Sequence, residues 1–146
     1  MSLLKDKITV LETNIDDMNP QVFAHVEDML FQSGALDVWI ETIQMKKNRP
    51  AFKFCCISPL DLSEKLASII LEETTSSGVR TYEVERFVLP RKIDQVDTPY
   101  GKVAVKIFTL PSGKARKVPE YEDCRKIAAE KKIPLIKIYS EILNSL

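Results

Sequence analysis

Two neighbouring carboxylates, Asp16 and Asp17, lie between a segment of alternating apolar residues and a segment with helical apolar spacing. This position predicts a turn between a strand and a helix, where a rigid scaffold holds side chains that remain open to a ligand. Carboxylate oxygens suit Mg²⁺ or Mn²⁺, which complete their coordination with water and substrate phosphates. A simpler interpretation is that Asp17 or Asn19 caps the following helix. Asp16 and Asp17 are therefore candidate metal ligands.

A second polar segment places three cations, Lys46, Lys47 and Arg49, within four positions. Arg can grip phosphate oxygens with a bidentate fork, while Lys acts as a point charge, so these residues are candidates for binding a polyphosphate. An exposed hairpin loop would have the same composition. Weaker candidates for the same nucleotide site lie later in the chain: Arg86, Lys102, Glu122 and Asp123. The two acidic members also fit the first turn of a helix, where the helix dipole favours negative charge.

The composition of the 146 residues restricts the kind of partner. Twenty-one basic side chains balance 21 acidic ones, so no overall field attracts nucleic acid or an anionic membrane surface. The apolar runs are far shorter than the roughly 20 residues that span a bilayer. Three cysteines without a CxxC spacing predict buried, reduced thiols, and a single histidine excludes a site of several imidazoles within one copy. We therefore expect a cytoplasmic protein that binds neither nucleic acid nor membrane.

The spacing of apolar residues predicts an α+β fold. Residues 8–90 are predicted to run strand, helix, strand, strand, helix, strand, which is the order of the ferredoxin-like split βαββαβ core. Asn19 followed by Pro20 is typical of a helix start, and Asp61 with Glu64 predicts a capping box for the second helix. The turn that carries the two aspartates would then follow the first strand of this core.

Residues 91–146 are predicted to form a small second subdomain made of a β-hairpin and two helices, with a basic strand-like segment at residues 114–118 between them. The hairpin turns at residues 98–101, where Pro and Gly favour a turn. Pro119 and Pro134 are each typical of the first turn of a helix. The chain is thus expected to contain a ferredoxin-like domain followed by a hairpin-plus-helices subdomain.

Phe52 and Phe54 occupy alternate positions of the predicted third strand, as aromatic residues do on the stacking surface of some RNA-binding domains. The glycine-containing motif of those domains is missing, and the net charge is zero. We therefore favour a place in the hydrophobic core for both rings.

Seven segments, taken together and in this order, resemble the C-terminal domain of the LarC family of nickel insertion proteins. They are ETNIDDMNP (12–20), GALD (34–37), QMKKNRP (44–50), EETT (72–75), GVR (78–80), TPYGK (98–102) and PEYEDC (119–124). That family is a nickel chelatase of the lyase class, which inserts nickel into pyridinium-3,5-bisthiocarboxylic acid mononucleotide to complete the nickel-pincer cofactor of lactate racemase. The resemblance implies that the reaction requires CTP and a divalent cation, Mg²⁺ or Mn²⁺, and that this domain binds the nucleotide.

The resemblance also implies roles for the candidate residues. Asp16 and Asp17 would bind the divalent cation, while Lys46, Lys47 and Arg49 would bind the triphosphate. Full-length members of the family carry an additional N-terminal domain, absent from this chain, that would bind nickel and act as a partner. We further expect a homo-oligomer. The alternative function is a non-catalytic ferredoxin-like module for ligand binding or oligomerisation, because a fold does not fix a function.

Overall fold

A computed structural model describes residues 3–146 of the chain. The chain forms two compact units, Lys5–Arg86 and Phe87–Leu146, with Leu3 and Leu4 assigned to the second. Each unit has its own sheet and its own buried core. No helix within residues 3–146 has the length and apolar character needed to cross a membrane.

The first unit contains four strands and two helices in the predicted order, although the outermost residues of β1 and β4 (Leu4, Phe87 and Val88) are counted with the second unit. The elements are β1 (Leu4–Ile15), α1 (Val22–Gln32), β2 (Asp37–Met45), β3 (Arg49–Ser58), α2 (Ser63–Glu73) and β4 (Arg80–Val88). The strands pair in the order β2-β3-β1-β4, and β3 runs antiparallel to both β1 and β2. This arrangement confirms the predicted ferredoxin-like fold, because β1 lies in the middle of the sheet between two later strands.

Both helices of the first unit bury apolar side chains against the same face of its sheet. Phe23 and Leu30 of α1, Leu66 of α2 and Leu11 of β1 all belong to one buried cluster. Phe54 of β3 is fully buried in this cluster. The helical spacing predicted from the sequence therefore has a direct cause, since each helix must turn one apolar stripe towards the sheet.

The two phenylalanines of β3 contribute to this core. Phe54 stacks on Phe23 with ring centroids 5.3 Å apart and an interplanar angle of 22°. Phe52 meets the same ring edge-on, at 5.3 Å and 72°. The core interpretation of both rings is thus confirmed, and an exposed RNA-stacking surface at Phe52 and Phe54 is wrong.

The ends of the first two helices differ in detail from the sequence prediction. Helix α1 begins at Val22, after a turn in which the Asn19 side chain accepts a hydrogen bond from the Gln21 N–H at 3.0 Å. The capping box predicted for α2 is wrong, since a 3-10 turn at Leu60–Leu62 leads into the helix and no side chain caps it. In this turn the Leu62 N–H donates to the Pro59 carbonyl oxygen at 3.1 Å, so the backbone itself begins the helical bonding pattern.

Gly34 is required where α1 ends. Its φ angle of +102° is in the region that side chains disfavour, and a Cβ there would lie 2.7 Å from Cδ1 of Leu62. The glycine therefore allows the chain to reverse closely over the 3-10 turn before β2 begins.

The second unit has a three-stranded antiparallel sheet and two helices. Its elements are β5 (Arg91–Thr98), β6 (Gly101–Thr109), β7 (Ala115–Pro119), α3 (Tyr121–Lys131) and α4 (Leu135–Ser145), with strand order β5-β6-β7. Its core contains Val103, Cys124, Ala128, Ile138 and Ile142. The basic segment that the sequence predicts to be strand-like forms β7, which adds a third strand to the predicted hairpin.

The prediction that Pro119 opens a helix is wrong. Pro119 ends β7, where it lies opposite Val105, and Glu120 then precedes the first residue of α3. A proline fits the end of an edge strand because it has no N–H to leave unpaired there. Pro134 lies immediately before α4, one position earlier than predicted.

Candidate functional site

The two aspartates follow the last residue of β1, as the sequence predicts. The antiparallel register pairs Ile15 with Phe52, which brings the start of β3 beside the end of β1. Arg49 is the first residue of β3, and its Nη1 lies 3.1 Å from Oδ2 of Asp16. Residues that are 33 positions apart in the chain thus meet because of strand pairing.

A polar cavity of about 600 Å³ opens around the end of β1. Its walls come from the end of β1 with the following turn, from the end of β2, and from the segment before β4. The lining residues are Thr13, Asn14, Ile15, Asp16, Asp17, Met45, Thr75, Ser76, Ser77, Gly78, Val79 and Arg80. This volume lies within the range of about 300–1,000 Å³ that is typical of small-molecule sites.

The segment between α2 and β4 is fastened to β1 by side-chain hydroxyl groups. Thr75 Oγ1 donates to Oδ1 of Asp17 at 2.6 Å. Thr13 Oγ1 donates to the carbonyl oxygen of Gly78 at 2.9 Å, and Ser76 Oγ lies 2.5 Å from Thr13 Oγ1. These bonds fix the wall of the cavity that faces Asp17.

The cationic loop is a tight connection between β2 and β3. Met45 pairs with Arg49, so Lys46–Asn48 form a three-residue turn. Lys47 and Asn48 have φ angles of +61° and +56°, which only Gly, Asn and Asp adopt readily. Both lysines are exposed. The turn therefore presents Lys46 and Lys47 to solvent beside the Arg49–Asp16 contact.

The remaining predicted site residues have protein partners or lie in the second unit. Arg86 forms two bonds of 2.8 Å with Asp6, and the hydrogen bond from Arg86 lowers the pKa of the Asp6 carboxyl. In the second unit Lys102 is exposed, Glu122 pairs with Arg125 at 2.9 Å, and Asp123 accepts a hydrogen bond from the Ala104 N–H at 2.9 Å. Among the predicted residues of the first unit, Asp16 and Asp17 line the cavity, and Arg49 contacts Asp16.

Sequence reasoning missed two residues of the site, Thr75 and Arg80. Both fall within segments that carry the family resemblance, EETT (72–75) and GVR (78–80). The polar run between α2 and β4 is rich in Ser and Thr, which is typical of any loop. The resemblance was therefore the signal that could have identified them.

The donor set around Asp16 and Asp17 suits a cation that arrives with its own ligands. Within residues 3–146, no group of three His, Cys, Asp or Glu side chains converges on one point. Mg²⁺ and Mn²⁺ in nucleotide sites need only one or two protein carboxylates, because phosphates and water supply the other oxygens. The two aspartates therefore fit such a cation.

The three cysteines are buried and unpaired, as predicted. Burial raises the pKa of Cys55 to about 11 and that of Cys56 to about 12, and it also raises the pKa of Cys124. Only a thiolate is a strong nucleophile or a good ligand for a soft metal. These thiols consequently behave as small apolar side chains at neutral pH.

Comparison with known proteins gives consistent matches along nearly the whole chain. The family model described as "Nickel insertion protein" matches residues 1–139. The pyridinium-3,5-bisthiocarboxylic acid mononucleotide nickel insertion protein of Acetivibrio thermocellus is 45% identical over 139 residues, which are 95% of this chain and 34% of that protein. The protein of the same name from Desulfitobacterium hafniense is 44% identical over 132 residues, which are 90% of this chain and 33% of that protein.

A solved structure has the same fold. It is LarC2, the C-terminal domain of a cyclometallase involved in the synthesis of the NPN cofactor of lactate racemase, in its apo form. The two chains are 36% identical, each is covered to 96%, and the TM-score is 0.88. This chain spans about a third of the length of the curated relatives it matches. The resemblance predicted from the sequence motifs is thus confirmed, and the chain belongs to the nickel insertion protein family.

Proposed function

We propose that this chain is the CTP- and divalent-cation-binding part of a nickel chelatase. The whole enzyme would insert nickel into pyridinium-3,5-bisthiocarboxylic acid mononucleotide and so complete the nickel-pincer cofactor of lactate racemase. The observation that carries the proposal is the contact of 3.1 Å between Arg49 and Asp16, beside a cavity of about 600 Å³ that both aspartates line. A phosphate-binding cation and a metal-binding carboxylate adjoin each other here, as a metal-nucleotide complex requires.

The residues of this site have separate tasks in the proposal. Asp16 and Asp17 bind Mg²⁺ or Mn²⁺, whose charge offsets that of the triphosphate when the nucleotide is bound. Arg49 is about half exposed, so its guanidinium can turn from Asp16 to a phosphate oxygen. Lys46 and Lys47 add positive charge at the same edge. Without these cations the two carboxylates would repel the triphosphate.

Nickel is the inserted metal in this proposal, so it is a substrate and not a resident cofactor. We assign its delivery to the N-terminal domain of the whole protein, as the family resemblance implies. The donor set supports this division, because residues 3–146 include no cluster of three potential metal ligands. We also place the reaction in the cytoplasm, because three unpaired thiols suit a reducing compartment.

Calorimetric titration with CTP in the presence of Mn²⁺ tests the proposal. We expect the wild-type chain to bind, and the double variant Lys46→Ala/Lys47→Ala to bind about tenfold more weakly, because two screened phosphate contacts are lost. The variant Lys65→Ala/Lys131→Ala removes the same charge from exposed helical positions and should bind as the wild type does. The proposal fails if the wild-type chain does not bind CTP with either Mn²⁺ or Mg²⁺.

Assembly into a homo-oligomer is the second candidate role, whether or not the chain takes part in catalysis. The observation that favours it is an apolar surface on the second unit. Ile136 is 82% exposed there, and together with Tyr121, Leu135 and Tyr139 it lines a cavity of about 490 Å³. Contiguous apolar side chains at the surface are a common feature of interaction sites. A second copy of this chain would bury these side chains.

Sedimentation velocity tests this second role by measuring the oligomeric state of the chain. We expect the wild-type chain to sediment as an oligomer and Ile136→Glu to shift it towards the monomer, because a buried unpaired carboxylate is costly. Lys126→Glu, at an exposed position of α3, is the matched control and should leave the sedimentation coefficient unchanged. Monomeric sedimentation of the wild-type chain at every concentration would exclude this role.

A further inference from the structure

Arg80 is the cation within the lining of the cavity, and the sequence had not marked it as a site residue. It is the first residue of β4 and its side chain is about half exposed. Its Nε donates to Oε2 of Glu12 at 2.9 Å, and its Nη2 donates to Oδ1 of Asn14 at 3.0 Å. Among the described residues, Nη1 has no protein partner. The guanidinium is therefore fixed in direction but retains donors for a ligand.

Glu12 is itself held by several groups, which makes it a firm support for Arg80. The Tyr82 hydroxyl donates to its Oε1 at 2.7 Å, and Lys53 Nζ lies 3.9 Å from the same atom. The side chain is only 12% exposed. The hydrogen bonds from Tyr82 and Arg80 lower the pKa of Glu12 despite its partial burial, so the carboxylate stays charged at neutral pH.

The residues of β1 that Arg80 contacts lie close in the chain to the two aspartates. Glu12 and Asn14 are alternate residues of β1, so they project on the same side of the strand, roughly 7 Å apart, and Asp16 lies in the turn that follows β1. Arg80 contacts Glu12 and Asn14, and Arg49 contacts Asp16. Arg80 therefore binds acceptors in the last, turn-proximal part of β1, and Arg49 binds the carboxylate just beyond the end of that strand.

We propose that Arg80 binds a phosphate group of the ligand in this cavity, and that Glu12 is the positioning residue that orients it. A guanidinium already held by Glu12 and Asn14 loses little side-chain freedom when an anion binds, which favours binding. The identity of the ligand as a nucleotide rests on the function proposed above. The assignment of Arg80 as an anion-binding residue does not rest on that function, because it follows from the unused guanidinium donors.

The test uses inorganic tripolyphosphate with Mn²⁺ as the probe, measured by calorimetry beside CTP with Mn²⁺. Arg80→Ala should weaken tripolyphosphate binding by about 10- to 100-fold, the usual effect of losing a charged hydrogen bond. Arg80→Lys should recover only part of this loss, because Lys lacks the planar fork. Arg116→Ala removes an exposed arginine that packs on Phe108 and should have no effect. Equal affinity of Arg80→Ala and the wild type for tripolyphosphate would overturn the assignment.

Two variants of Glu12 distinguish its role in orienting Arg80 from the repulsion between its charge and a bound anion. Removing a carboxylate near a bound anion should by itself tighten binding, because a repulsion is lost. If Glu12 acts by orienting Arg80, Glu12→Ala should instead weaken tripolyphosphate binding several-fold, with Mn²⁺ binding in the absence of phosphate unchanged. Glu12→Gln keeps an acceptor for Arg80 and should bind at least as tightly as the wild type. Tighter or equal binding by Glu12→Ala would overturn the positioning role.

The two probes keep this inference separate from the proposed function. Tripolyphosphate binding that depends on Arg80, together with no CTP binding, would support the inference and reject the CTP assignment. CTP and tripolyphosphate binding that both ignore Arg80 would support the proposed function and reject the inference. Absence of tripolyphosphate binding by the wild-type chain would also reject the inference.

Discussion

The double substitution Asp16→Asn/Asp17→Asn is expected to abolish metal-dependent CTP binding. Both carboxylates line the cavity, and an amide oxygen is a weak ligand for Mg²⁺ or Mn²⁺ compared with a carboxylate. Changes in the outer shell of a metal site typically cost 10- to 100-fold in affinity, so loss of both direct ligands should exceed about 100-fold. Mn²⁺ titration followed by electron paramagnetic resonance measures the affinity for the metal, and calorimetry measures the affinity for CTP.

The control for this substitution is Asp28→Asn/Asp61→Asn, which removes two exposed carboxylates away from the cavity. It should leave both affinities unchanged. The two single variants differ in their effect on neighbouring residues. Asp16→Asn weakens the contact with Arg49, while Asp17→Asn can still accept the hydrogen bond from Thr75. If the double variant binds Mn²⁺ and CTP as tightly as the wild type, the metal assignment is wrong.

Phe54→Ala is expected to lower the free energy of unfolding by about 3–5 kcal/mol. The ring is fully buried, stacks on Phe23 and packs between the sheet and both helices of the first unit. Alanine would leave a cavity in a core that cannot close around it. Since domains are commonly stable by only about 5–15 kcal/mol, this one change could leave little of the stability of the unit. Urea denaturation followed by circular dichroism measures the effect.

Phe31→Ala is the matched comparison, because Phe31 lies on α1 and is 45% exposed. It should cost much less than Phe54→Ala, since part of the ring already contacts water in the folded state. Similar costs for the two variants would mean that Phe54 does not lie at the centre of the core.

Much of the fold could be predicted because local patterns and the tertiary structure agree. Alternation in β2 and helical spacing in α1 arise from burial on one side of each element. The errors concern the ends of helices. The capping box predicted at Asp61 and the helix start predicted at Pro119 each follow a valid local rule, but the structure has neither. At Asp61 a 3-10 turn leads into α2 without a side-chain cap, and at Pro119 strand β7 continues to the proline before α3 begins at Tyr121.

The candidate site was predictable only in part. Asp16 and Arg49 stand out by residue type, but their contact depends on the antiparallel register of β1 and β3. Thr75 and Arg80 contact residues 58 and 66–68 positions earlier in the chain. Such contacts follow from how the strands are ordered in space. A composition that looks like an ordinary loop cannot reveal them.

The central strand β1 also restricts how this chain can change during evolution. Its odd-numbered residues Leu11 and Ile15 face the core, while Glu12 and Asn14 hold Arg80. Since a shift of one residue exchanges the two faces of a strand, a single insertion between Leu11 and Ile15 would disrupt the core and the cavity together. Insertions after Asp17 would instead lengthen a surface turn. We therefore expect related sequences to differ in length after Asp17 and to keep a constant length between Leu11 and Ile15.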